Sequence, residues 1–99
     1  MISHTTPRFH KAFAQLPQKV QHQAKEAYKQ FQKDPFYPSL NFKRVHSTKP
    51  IYSVRINIDY RAVGIQSGKE IIWFWIGSHD NYKKLLGGVK SSSAPRKLA

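Results

Sequence analysis

The 99-residue chain carries seventeen Lys and Arg against five Asp and Glu, a formal charge of +12, and has no cysteine. Its length suits one domain with a modest core and no separate cofactor domain, and the missing thiols exclude disulfides, thiolate metal sites and thiol nucleophiles. So large a cationic excess makes a polyanionic partner the natural expectation, either nucleic acid or an acidic protein segment.

The opening "MISHTTPRFHK" lacks the apolar core of a signal peptide, and no later run reaches the length of a membrane span, so a cytoplasmic protein without membrane contact is expected. Thr6 and Pro7 form a helix start, and Phe9, Ala12, Phe13 and Leu16 follow at the spacing of one helical face. Pro17 restarts the chain. Val20, Ala24, Ala27, Tyr28 and Phe31 then repeat that period until Asp34 and Pro35 end it, which predicts an αα-hairpin whose apolar stripes must cover something else.

After "PFYPSL" the period changes to two. In "IYSVRINIDY", Tyr52, Val54, Ile56 and Ile58 alternate with Ser53, Arg55, Asn57 and Asp59, the pattern of a half-buried strand. A tight connection leads into "YRAVGI", and a Ser-Gly turn in "QSGKE" leads into "IIWFWIG", which is apolar on both faces and therefore belongs inside the sheet. A leading strand is expected around residues 40–45 and a short helix over residues 80–86. The predicted class is α+β: an N-terminal αα-hairpin on a small, mostly antiparallel sheet of about four strands, with a short C-terminal helix. Residues 1–87 form the predicted domain and residues 88–99 a flexible basic tail.

The acids Glu26, Asp34, Asp59, Glu70 and Asp80 are scattered over these elements, which disfavours paired-carboxylate and two-metal hydrolysis. His4, His10, His22, His46 and His79 show no metal-ligand spacing and no phosphate-binding glycine loop exists, so neither metal nor cofactor is expected. Cationic, imidazole and phenol chemistry remains. It suits attack of an RNA 2′-hydroxyl on its own adjacent phosphate, which needs a base, cations for the pentacoordinate phosphate and a proton donor for the leaving oxygen. It equally suits gripping a phosphate backbone. Arg55 lies on the polar phase of its strand, Arg61 opens the next, and His79 and Tyr82 follow the last, so a meander can bring them to one edge. Each has a plainer reading: Arg55 solvated, Arg61 paired with Asp59, His79 capping the helix, Tyr82 packing its ring on the sheet. "NFKRVH" adds Lys43, Arg44 and His46 on one strand-like stretch.

The succession of two basic helices, "SLNFKRV", "YSVRINIDYRAVGI" and an apolar strand ending in "IGSHDNYKKLL" resembles the RelE/ParE superfamily of bacterial toxins over residues 7–86. The resemblance implies the toxin half of a toxin–antitoxin pair, neutralised by an antitoxin that wraps a segment around it. Many members cleave messenger RNA in the ribosomal A site; others poison DNA gyrase. By the same resemblance Arg61 is the phosphate-stabilising arginine, Arg55 binds phosphate or supports the site, His79 is an acid or base, and Tyr82 stacks on a base or helps deprotonate the 2′-hydroxyl. Lys43, Arg44 and His46 become RNA contacts. The strand glutamate that some relatives use as base has no counterpart. The expectation is a metal-independent, ribosome-dependent endoribonuclease toxin with a cognate antitoxin; the alternatives are a gyrase-inhibiting toxin and a non-toxic basic nucleic-acid-binding module.

Overall fold

Thr6 starts the first helix as expected: its Oγ accepts the Phe9 N–H at 3.1 Å, with Pro7 in the first helical turn. In the computed structural model, which describes residues 1–93, the chain runs β1 (Ile2–Thr5), α1 (Pro7–Ala14), α2 (Gln18–Lys33), a 3-10 turn (Pro38–Leu40), β2 (Lys43–Arg44), β3 (Ile51–Asn57), β4 (Tyr60–Ser67), β5 (Glu70–Ser78) and α3 (His79–Ser93). At the elbow between the first two helices the Gln21 amide donates to the carbonyl of Phe13, which also accepts the Leu16 N–H, and to that of Leu16, just beyond the end of α1.

The sheet order is β1-β5-β4-β3-β2, parallel between β1 and β5 and antiparallel elsewhere. Two strands differ from the sequence expectation. β1 is a fifth strand that periodicity did not show, because "ISHT" has a single apolar residue and is extended by pairing with β5. The leading strand shrinks to Lys43–Arg44, because Pro38–Leu40 forms a 3-10 turn and Asn41 takes a left-handed conformation at φ 45°. The two hairpin turns fall where predicted, at Ile58 and Asp59 and at Gly68 and Lys69; Gly68 supplies the positive φ of 59°.

Apolar side chains cover both faces of the sheet. On one, α1 lies over β5 and α2 over β3, burying Ala24, Phe31, Val54, Ala62, Ile71, Trp73 and Ile76. Phe31 stands edge-on to Phe42 and Trp73, with ring centroids 5.1 and 5.4 Å apart. On the other, α3 brings Tyr82, Leu85 and Leu86 over Ile51 and Val63. The helix predicted over residues 80–86 runs from His79 to Ser93, into the stretch read as a basic tail; residues 94–99 lie outside the described residues.

A bulge sets which face each β5 side chain meets. Val63 pairs with Trp75 but Gly64 pairs with Trp73, leaving Phe74 as an extra residue. Ile71 and Trp73 before the bulge face α1 and α2, whereas Phe74 and Trp75 pack with the α3 cluster. Gly64 permits the close fit there: a Cβ on it would lie 2.9 Å from the Ile72 carbonyl oxygen and from the Trp73 ring.

Candidate nucleic-acid interface

The cations of interest come from the α3 face of the hairpin β3–β4. Arg55 pairs directly with Arg61 across the ladder, and Arg61 pairs with Gly77 of β5, so the three form one cross-strand row. Lys43 pairs with Ser53, one pleat repeat from Arg55 on the same face, and is exposed. Two like charges directly opposite one another destabilise a sheet. Among the described residues neither arginine makes a salt bridge.

Arg61 is half-buried and partly committed: its Nη1 donates to the Asn57 carbonyl at 2.6 Å and to the Tyr60 carbonyl at 3.0 Å, clasping the β3–β4 turn. Burial holds its pKa below the ordinary arginine value, the Arg55 charge lowers it further, and Tyr82 and Asp59 oppose the shift. The guanidinium nevertheless stays charged at any physiological pH.

The last strand delivers the aromatic part. The His79 N–H donates to the Asp59 carbonyl at 2.6 Å, fixing the start of α3 against the same turn that Arg61 clasps. The half-buried His79 ring stacks on Tyr82 with centroids 5.7 Å apart and an interplanar angle of 26°. Tyr82 itself is 7 % exposed, and its hydroxyl donates to Ser53 Oγ at 3.2 Å. The plainer sequence reading describes its geometry: the ring packs on the sheet and the phenol is spent inside the protein.

The stretch from Lys43 to His46 divides. Arg44 points to the opposite phase and its Nε donates to the carbonyls of His46 and Lys49. His46, expected at an RNA surface, is instead 6 % exposed, and its Nδ1 accepts the N–H groups of Thr48 and Lys49 at 3.1 and 2.9 Å. It organises a turn and presents almost no surface, because those backbone donors need an acceptor there. Lys43 alone of the three is exposed and in phase with Arg55.

One residue of this face escaped the sequence reading. Trp75 is half-buried beside Tyr82, with centroids 6.4 Å apart, on the same side of the sheet as the arginine row. Strict alternation would put it with Trp73 in the helix-covered core; only the bulge at Phe74 turns it to this side. Among the described residues no cluster of three or more His, Asp or Glu could hold a metal. An open groove of about 600 Å³ adjoins the row at Arg55, between β3 and α2, with Gln23, Glu26, Gln30 and Asn57 among apolar side chains in its wall. An apolar cleft of about 210 Å³ under α1 and α2 lies on the other face, and of its lining only Lys25 carries charge.

Residues 18–84 match the family model of the ParE-like toxin domain. The fold is similar to a chain of the RelB–RelE antitoxin–toxin complex from Methanococcus jannaschii, with a TM-score of 0.68 and 16% identity over 83% of this chain and 96% of that one. It is similar to YafQ from E. coli strain BL21(DE3), with a TM-score of 0.64 and 14% identity over 81% of this chain and 94% of that one. The YoeB/ParE toxin from Agrobacterium tumefaciens gives a TM-score of 0.62 and 14% identity over 80% and 99%. No curated protein matches the sequence. No helix among the described residues is long and apolar enough to cross a membrane.

Proposed function

From the premise that this chain belongs to the ParE-like toxin domain family, and so is a toxin of the toxin–antitoxin kind, we propose that it is a ribosome-dependent endoribonuclease that cuts messenger RNA without a metal. The observation that carries this reading is the Arg55–Arg61 pair: two cations set against each other at the turn to which the His79 backbone is anchored, with no carboxylate bridged to either among the described residues. A phosphodiester is the ligand that turns this repulsion into attraction.

In this mechanism Arg61 stabilises the charge that develops on the phosphorane. Arg55 and the exposed Lys43 hold the flanking phosphates. His79 exchanges the proton as acid or base at the 2′-hydroxyl or the leaving 5′-oxygen. Tyr82, whose hydroxyl is engaged by Ser53, acts as a positioning residue that fixes the His79 ring. The bonds balance without a co-reactant: the 2′-oxygen bonds to phosphorus, the 5′-oxygen leaves, and one proton passes from the first to the second. The ribosome orders the message and supplies the remaining geometry.

The partner follows from the same reading. Similar chains have been solved within antitoxin–toxin complexes, and a cognate antitoxin of acidic character complements a chain with twelve excess positive charges.

Gyrase inhibition is the second reading. It is favoured by the ParE-like family model and by the burial of the Tyr82 phenol, which leaves one fewer free acid–base group at the surface. Mapping of 5′ ends on translating ribosomes separates the two: the endoribonuclease produces new ends at A-site codons, and His79→Ala abolishes them. Intact messages together with blocked supercoiling by a folded protein would transfer the function to gyrase.

A further inference from the structure

We propose that the indole of Trp75 is a binding subsite for an unpaired nucleobase, a stacking platform beside the arginine row; this rests on the RNA reading above and adds to it a residue that determines how the strand lies. Four features of the fold converge on that ring.

The first is its phase. The bulge at Phe74 interrupts the β4–β5 ladder, and its effect is to present Trp75 on the α3 side, where the buried Trp73 is not. Such defects re-aim side chains next to sites of function. The second is the space made for the ring. A Cβ on Gly77 would lie 2.7 Å from Cζ2 and 3.0 Å from Cη2 of Trp75, so the six-membered ring lies down over the bare backbone of Gly77. Gly77 is the residue that pairs with Arg61, and the indole therefore rests at the end of the arginine row.

The third is that part of the ring remains at the surface. Trp73 is 5 % exposed and donates its indole N–H to Ser3 Oγ; Trp75 is half-buried, and among the described residues no acceptor meets its N–H. The fourth is adjacency. Gly77, which lies under the ring, and Arg61 are direct partners on neighbouring strands, about 5 Å apart across the ladder. A base on the ring and its own phosphate can span that step together with the arginine side chain. A nucleotide stacked on Trp75 thus brings its phosphate to Arg61, within the field of Arg55 and beside His79. Stacking on an aromatic face tolerates any base, whereas the indole N–H, unmatched among the described residues, can donate to a base carbonyl or ring nitrogen.

The test uses the full chain, freed of antitoxin, and a short 2′-O-methyl RNA that lacks the attacking hydroxyl, titrated at low salt with tryptophan emission as readout. Trp73 is sealed in the core, so quenching reports Trp75. Wild type is expected to quench on binding. Trp75→Leu is expected to bind roughly ten-fold or more weakly, the loss of one base–aromatic stack, and Trp75→Phe to recover much of that affinity. Gly77→Ala, which displaces the ring but removes no group that touches RNA, is expected to weaken binding as well. Thermal melts of each variant identify any that fail to fold; the wild-type quench stands without them. Binding with unchanged emission, or Trp75→Leu binding as tightly as wild type, overturns the platform and leaves the endoribonuclease reading intact. Absence of oligonucleotide binding by the folded wild type overturns the platform, whereas the ribosome-dependent reading falls only if the mapping of 5′ ends on translating ribosomes also shows intact messages.

Discussion

At the residue scale the face is held by polar groups that work inward. The Tyr82 phenol and Ser53 form a buried pair, so Ser53→Ala orphans a hydroxyl inside the protein. That substitution should cost about 1–3 kcal/mol in denaturant unfolding, and it should reduce cleavage because His79 stacks on the loosened ring. Arg61 has two duties. Arg61→Lys keeps a cation but not the planar fork that clasps the turn carbonyls, so both the melting temperature and the affinity for RNA should fall. Equal cleavage by wild type and Arg61→Lys would show that a point charge suffices there. The alternation of "YSVRINIDYR" was enough to place Arg55 on the polar phase of its strand and Arg61 at the start of the next, because period-two patterning fixes which residues of a strand share a face; their direct pairing is set by the register of the hairpin. It could not reveal that Tyr82 is sealed, since its hydroxyl bonds to Ser53 on a distant strand, nor that His46 is consumed by its own turn, since period-two patterning carries no signal for a ring that accepts backbone N–H groups just ahead of it.

At the element scale, α1, α2 and β3 were legible because each has one dominant period, and β4 and β5 because turn signals bound their apolar runs. β1 was not, because four mostly polar residues become a strand only through a partner distant in sequence. The phase of β5 was hidden for a different reason: in "IIWFWI" every position is apolar, so pattern carries no information about faces and a single bulge decides them. Gly64 should therefore be sensitive. Gly64→Ala sets a methyl 2.9 Å from a backbone oxygen that cannot give way, and a loss of about 1–3 kcal/mol is expected from chemical denaturation. Thr6→Ala, which removes the cap of α1 and the long 3.4 Å hydrogen bond from the Thr6 hydroxyl to the Trp73 carbonyl, should cost about 0.5–2 kcal/mol in the same measurement. A larger loss for Thr6→Ala than for Gly64→Ala would contradict the packing described around the bulge.

At the scale of the whole molecule, the charge excess predicts how binding responds to salt. If Arg55, Arg61 and Lys43 each neutralise a phosphate, the logarithm of RNA affinity should fall linearly with that of salt concentration, by about 0.7 per phosphate on a single strand. Lys43→Ala should flatten that slope by about one such step while leaving the melting temperature nearly unchanged, because the side chain is exposed on the edge strand. A slope indifferent to Lys43 would remove it from the interface.

The parallel pairing of β1 with β5 also has a consequence in time. β1 and α1 are the first elements in chain order, and both dock on β5, the last strand. Antiparallel neighbours can zip as soon as each turn emerges, but these first elements must wait, extended or transiently helical, until nearly the entire domain has been synthesised. The α3 face forms on the same schedule, since Gly77, His79 and Tyr82 follow every other strand. The Arg55–Arg61 pair can form with its own hairpin, but Gly77, His79 and Tyr82 reach it only after β5 and α3 have emerged, so the two cations are in place before the imidazole and the indole that complete the face.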